Sequence, residues 1–380
     1  MRDDCPQITW LDDAGQPQPV DWRSLAGHPA PARVVVADEQ LAADAAFGLI
    51  AQGQALLWRG GYPAARQLLQ ALGRRLDRRQ QRPARPAATL AEAWALQRRQ
   101  QAERARLLGQ LLLPFDADHG LPLARAPDVR AAGLQAHGPV GRHYVASLRE
   151  LLGLVGAFEW RRKGVVIPAL GASIHPHHGV FSPVRGEYVD LLAGAALPAA
   201  AQDHGAFDIG TGTGVLAALL ARRGLQVLAT DLSSAALACA ADNLQRLGLA
   251  GQVTLLQADL FPPGQAGLVV CNPPWVPAPA HAGLDAAVYD PDSRMLRGWL
   301  AGLAAHLVPG GEGWLILSDL AEHLGLRPRD QLLAWIAAAG LRVLGRSEAR
   351  PQHRRAMDAA DPLHAARSAE RTSLWRLGAA

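Results

Sequence analysis

Lysine is nearly missing from this sequence: of 38 basic residues only Lys163 is not arginine. That bias, with the abundance of alanine, matches GC-rich coding and needs no functional reason. Cysteine is scarce. Cys5, Cys239 and Cys271 are far apart and odd in number, which argues against a disulfide framework or a zinc site and for a reducing compartment. No metal is expected, and a cytoplasmic location is. No run of about 18 apolar residues is free of charge, so no transmembrane helix and no membrane partner is expected. The first residues, MRDDCPQITW, are acidic and polar and lack the pattern of a secretory signal.

What is present suffices for a large core. The chain has 380 residues, 49% of them hydrophobic, and a mean hydropathy of +0.01. Two domains, or one with an extension, fit that length. The formal charge of +4 is unevenly spread. From Arg59 to Arg106 there are twelve arginines against Asp77, Glu92 and Glu103, a local net of +9. From Asp203 to Leu320 five arginines face ten acids, a net of −5. The basic cluster reads either as a polyanion-binding face or as a solvated helical surface.

Along the first part, Arg33–Val36 reads as a strand and Leu41–Leu57 as an apolar helix. A helix from Pro63 carries Leu68, Leu69, Leu72 and Leu76 at helical spacing, and Pro83 and Pro86 break it. Thr89 and Glu92 form a capping-box pattern for a helix reaching about Leu113, and a further helix is expected over Val140–Leu154. Short β-prone pieces then alternate with glycine: Phe158-Glu159-Trp160, Val165-Val166-Ile167 and Ala172-Ser173-Ile174. The expected organisation is an N-terminal, mainly helical accessory domain over 1–157, or else a degenerate second α/β unit there. An α/β domain over 158–380 follows, with 158–180 a hairpin linker. From Phe181 strands and helices alternate as in a doubly wound sheet.

The chemistry concentrates in that second part. Ala206-Phe207-Asp208-Ile209 reads as a buried strand running into Gly210-Thr211-Gly212-Thr213-Gly214 and then an apolar helix. A glycine turn there lets a ligand approach the backbone, and its GxGxG spacing is not the GxGxxG of dinucleotide sites. The next strand ends in Asp231, placed to bind ribose hydroxyls, with Leu232 after it. A third ends in Ala258-Asp259-Leu260-Phe261, where Asp259 suits an adenine amino group and Leu260 or Phe261 the ring. A fourth, Leu268–Cys271, ends in Asn272-Pro273-Pro274-Trp275.

Those residues together resemble the class I S-adenosylmethionine (SAM) dependent methyltransferases that modify amide or exocyclic amine nitrogens. The resemblance covers about residues 160–380 and implies a Rossmann-like seven-stranded sheet whose last strand, Thr372–Leu377, is antiparallel. It implies SAM bound by Asp208, Gly210, Thr211, Gly212, Gly214, Asp231, Leu232, Asp259, Leu260 and Asn272. Such a nitrogen is a poor nucleophile because its lone pair is delocalised. Asn272 and the Pro273 carbonyl would accept its two N–H bonds and aim the lone pair at the methyl, while Pro274 stiffens the turn and Trp275 offers a flat face. Phe181-Ser182-Pro183-Val184-Arg185-Gly186-Glu187-Tyr188 resembles the segment before the first strand of the protein N5-glutamine (HemK-type) methyltransferases. Phe181, Arg185 and Glu187 are thereby candidate substrate contacts, and Tyr289 is another because it lies in the loop beyond the reaction motif, at a strand's carboxyl end. The sequence departs from that family in closing its motif with Trp275 and in its longer N-terminal part.

The acceptor is expected to be a macromolecule: a protein glutamine, in a translation factor or ribosomal protein, or else a base amine in RNA or DNA. A non-catalytic RNA-binding scaffold is the remaining alternative. His175, His177 and His178 are expected to line the entrance to the site or a solvated loop. The loop Tyr289–Arg294 reads as a substrate contact or a helix-capping turn.

Overall fold

Short, wholly apolar runs bounded by turns form strands when both of their faces are covered, and this protein is built on several. The computed structural model describes residues 5–12, 14–80, 87–183, 186–279, 287–351, 358–359 and 361–380. The chain divides into two compact units, Met1–Ala87 with Ala95–Glu159, and Ala88–Trp94 with Trp160–Ala380.

The first unit contains β1 (Gln7–Leu11), β2 (Pro17–Trp22), β3 (Val34–Ala37), α1 (Ala43–Ala51), β4 (Ala55–Trp58) and α2 (Tyr62–Gln80). Then come α3 (Leu90–Leu108), β5 (Leu111–Phe115), α4 (Arg130–His137), β6 (Tyr144–Ser147) and α5 (Leu148–Lys163). The strands form one six-stranded sheet in the order β1-β2-β6-β5-β4-β3. Helices supply more of this unit's residues than strands do, and its strands pair into one sheet. The expected helices over Leu41–Leu57, Thr89–Leu113 and Val140–Leu154 each give up an end to a strand: β4, β5 and β6. Ala55–Trp58 and Tyr144–Ser147 are buried at every position, so no alternation marks them as strands. Phe158–Trp160 lies in α5 and not in a hairpin.

In the second unit β7 (Val165–Ile167) and β8 (Ala172–Ile174) form an antiparallel hairpin. They lead to α6 (Glu187–Gly194), α7 (Ala199–His204), β9 (Ala206–Ile209), α8 (Val215–Arg222), β10 (Val227–Asp231), α9 (Ser234–Arg246), β11 (Val253–Gln257) and β12 (Ala266–Cys271). Beyond the reaction motif follow α10 (Arg294–Leu303), β13 (Leu307–Ser318), α11 (Leu320–His323), α12 (Arg329–Ala338), β14 (Leu341–Ala349), α13 (His364–Ala369) and β15 (Thr372–Ala379). The seven strands run β11-β10-β9-β12-β13-β15-β14. Only β15 is antiparallel to its neighbours. This is the Rossmann-like seven-stranded arrangement expected from the sequence. Gly310–Gly313 lies inside β13, where the buried Glu312 accepts from Arg376 and from the Trp314 indole. Both faces of the sheet are covered. One packs against α6, α8, α9 and the hairpin, the other against α10 and α12. Strand order reverses between β9 and β12, and a crevice opens at such a switch point beyond the strands' carboxyl ends.

Candidate active site

Register assembles the site. Cys271 pairs with Ile209, so Asn272 emerges beside Gly210. Thr230 pairs with Ile209 on the other side, and Asp231 with Gln257. Four strand ends therefore deliver the glycine turn, Asp231, Asp259 and Asn272 to one rim.

Gly210, Gly212 and Gly214 have φ of 75°, 55° and 78°, which side chains disfavour. A Cβ on Gly214 would press on Ala240, and one on Gly210 would come 2.7 Å from the Met295 Cε, whereas one on Gly212 would meet nothing within 4 Å. Gly212 thus exposes its backbone to open space. The Gly210 and Thr211 amides both donate to the Thr230 carbonyl, each at 2.9 Å. Asp208 lies under the turn, 1% exposed. Its carboxylate accepts from the Thr211 hydroxyl at 2.7 Å and from the Ala217 amide at 3.1 Å, joining the turn to the first turn of α8. Burial pushes this carboxyl up to about 6, with Asp231 adding repulsion and the two hydrogen bonds opposing. Asp208 therefore shapes the turn from beneath.

Asp231 accepts from the Gly212 amide at 3.0 Å and the Ser233 amide at 2.9 Å. Leu232 beside it is 62% exposed, an apolar side chain left facing water at the rim. Asp259 is also at the rim but is ion-paired with Arg294 at 2.6 Å. Leu260 has φ of 74°, and its carbonyl accepts from the Thr230 hydroxyl at 2.6 Å. Phe261, one of two candidates for a ring contact, stacks instead on His306, with centroids 4.2 Å apart.

In the reaction motif Pro273 is buried, and Asn272, Pro274 and Trp275 are half-buried. The Trp275 indole donates to the Asn272 Oδ1 at 2.9 Å. Indole nitrogen only donates, so this contact fixes which end of the amide faces it and leaves the oxygen's second lone pair available. Among the described residues no group donates to the Pro273 carbonyl. Behind the motif lies Arg327, 2% exposed, donating to the Trp275 carbonyl at 3.2 Å and to the Ser293 hydroxyl at 3.3 Å. The ends of the loop after the motif are pinned by Val276 donating to Val288 at 3.3 Å and Asp290 donating to Val276 at 2.9 Å.

Other expected residues are spread more widely. Phe181 and Glu187 are half-buried, with Glu187 opening α6. Arg185 lies outside the described residues. Tyr289 meets Trp94 edge-on with centroids 6.3 Å apart. For Asp290 the helix-capping alternative holds: its carboxylate accepts from the Met295 and Leu296 amides at the start of α10. His175 and His177 are half-buried. The His175 amide donates to Asn243 at 2.7 Å, and His177 contacts Asp242 at 3.2 Å, fastening the strap after β8 to α9.

Sequence reasoning missed Asn243 and Arg327. Asn243, 1% exposed, also donates to the Thr213 carbonyl at 3.0 Å and so ties the glycine turn to the strap. Its signal was a polar residue on an apolar helix face. Arg327 had none, because it is distant in sequence from everything it touches.

Comparison with known proteins adds the following. Residues 171–326 match the family model described as the methyltransferase small domain. The chain is 43% identical over 149 residues to the release factor glutamine methyltransferase of Moorella thermoacetica, covering 33% of this chain and 53% of that protein. With the Cereibacter sphaeroides protein of the same name it shares 41% over 149 residues, covering 37% and 50%. The ribosomal RNA small subunit methyltransferase C of Alcanivorax borkumensis is 34% identical over 114 residues, covering 29% and 30%. The chain spans about half the length of the two glutamine methyltransferases.

Proposed function

We propose that the chain, whose residues 171–326 match the methyltransferase small domain, transfers a methyl group from SAM to the side-chain amide nitrogen of a glutamine in a protein of the translation machinery. The observation that carries this reading is Asn272 beside Gly210, its amide oxygen oriented by the Trp275 indole. The rim fits the cofactor. Gly212 opens to space, Asp231 stands one strand away to meet ribose hydroxyls, and exposed Leu232 offers an apolar surface to a base. Asp259 would share its lone pairs between Arg294 and an adenine amino group.

When bound, SAM would supply an electrophilic methyl group, its S–CH3 bond breaking to leave a neutral thioether as the N–C bond forms. The chain's own residues orient the acceptor. Asn272 Oδ1 and the Pro273 carbonyl accept the two N–H bonds of the planar NH2. Their directions favour a pyramidal nitrogen and point its lone pair across the rim. Positive charge grows on that nitrogen as the N–C bond forms, and two fixed acceptors stabilise it better than mobile water does. One N–H proton is then released to water. Trp275 borders the planar group while holding Asn272. The glutamine assignment is supported by the names of the two relatives above 40% identity.

Asn272→Ala should lower the transfer rate on the order of 100-fold and leave SAM binding largely intact by calorimetry. Equal rates in both proteins would overturn the role. Incubating the wild type with labelled SAM and cell extract, then with protease or nucleases, tests the acceptor. Label lost only to protease supports glutamine, and label lost only to a nuclease transfers the reading to a base amine.

A further inference from the structure

The first unit carries an arginine layer that the transfer reaction does not use. α2 and α3 lie side by side. Arg104 of α3 donates to the Gly73 carbonyl at 3.1 Å and pairs with Asp77 of α2, and Gln80 donates to the Gln100 carbonyl at 3.1 Å. Leu68, Leu72 and Leu76 turn α2's apolar side into the core. Arg66, Arg74, Arg78, Arg79, Arg99 and Arg106 remain exposed. Three of the four nearby acids are engaged elsewhere, Asp77 by Arg104, Asp44 by Arg75 at 2.6 Å and Glu92 by the capping of α3, which leaves Glu103 of α3 against the six arginines. None of the six exposed arginines is in an ion pair among the described residues.

From this layer we infer that α2 and α3 dock the phosphate backbone of RNA. Three observations favour that occupant. Arg66, Gln70, Arg74 and Arg78 fall on successive i+4 steps along α2, each rising about 6 Å with Arg66 and Arg74 two steps apart, so that three charges and one amide donor follow one face at a pitch that suits the phosphates of one strand. Second, no large apolar side chain is exposed on either helix among the described residues. Protein interfaces draw their energy from such anchors, whereas phosphate contacts need only charge and polar donors. The exposed residues between the arginines include Gln67, Gln70 and Gln101, which can donate to phosphate or sugar oxygens. Third, the apolar side of α2 is already buried and has nothing to insert into a lipid surface. That the polynucleotide is RNA rests on the acceptor belonging to the translation machinery, as proposed above. RNA is then where the enzyme meets its substrate and not what it methylates.

The test uses the full chain and a fluorescent RNA duplex, followed by anisotropy from about 50 to 200 mM salt. Binding should weaken linearly in log affinity against log salt. The triple variant Arg74→Ala, Arg78→Ala, Arg79→Ala keeps good helix formers on an exposed face, and its fold is checked by circular dichroism. It should bind the duplex at least about tenfold more weakly, with a salt slope smaller by about 3. SAM affinity, measured in parallel, should be the same in both proteins. Loss of SAM binding in the wild type would sink the catalytic reading, whereas the docking surface would still be decided by the RNA affinity and its salt slope. Absence of RNA binding, or an unchanged slope in the variant, would overturn the docking surface. So would tighter binding of a DNA duplex, polyglutamate or anionic vesicles than of RNA.

Discussion

The Asn272 amide has a fixed orientation because a donor-only indole faces it. Trp275→Phe keeps a flat ring and removes that donor. A neutral hydrogen bond is worth about 1 kcal/mol, so kcat should fall about fivefold with SAM affinity unchanged in a single-turnover assay. An unaltered kcat would show that the indole does not orient the amide. Asp208 makes a prediction about pH. Its folded value, about 6, lies above its ordinary 3.8. Its contribution to stability is therefore complete below 3.8 and is lost as pH rises through 6. At neutral pH the ionised, buried carboxylate costs about 3 kcal/mol relative to acid conditions. The stability of the wild type relative to Asp208→Asn, from urea melts, should decline by that order between about pH 4 and 7. A flat difference would mean that the carboxyl titrates normally.

Among the elements, the reaction loop is held from behind by α10 and by the segment between α11 and α12. Arg327 joins the carbonyl of Trp275 to Ser293, whose φ is 53°, with Asp292 at 54° beside it. Such a backbone persists only where surrounding contacts hold it. Arg327→Met fills most of the space but leaves a half-buried carbonyl and a buried hydroxyl short of a donor and buried Asp290 short of a nearby positive charge. Stability should fall by about 2–3 kcal/mol, and at a temperature where the variant is folded kcat should fall more than SAM affinity. A variant with lower melting temperature but wild-type kcat would make Arg327 a purely structural brace.

At the scale of the whole molecule the two compact units have separate cores, one around the six-stranded sheet and one around the seven-stranded sheet. Calorimetry should resolve two unfolding transitions. Saturating SAM should raise only that of the 160–380 unit, by about 3 kcal/mol at 100 times its dissociation constant. A shift of both would mean that the first unit also grips the cofactor. Among the described residues no helix is long and apolar enough to cross a membrane.

The second unit was legible in the sequence because its signals are local. A glycine turn between an apolar strand and a helix, an acid at the next strand end, and Asn-Pro-Pro-Trp after a buried strand each state their chemistry within a few residues. Their order gives the sheet. The first unit was only partly legible. β4, β5 and β6 are short and almost wholly buried, and nothing in a run of four or five such residues separates a strand from the end of a helix. Tertiary structure alone decided which polar groups meet. Asp231 reaches Gly212, Asn243 reaches Thr213 and His175, and Arg327 reaches Trp275. Those partners are brought together by strand register and helix packing, which pair residues by position in space and leave no pattern at any fixed spacing along the chain.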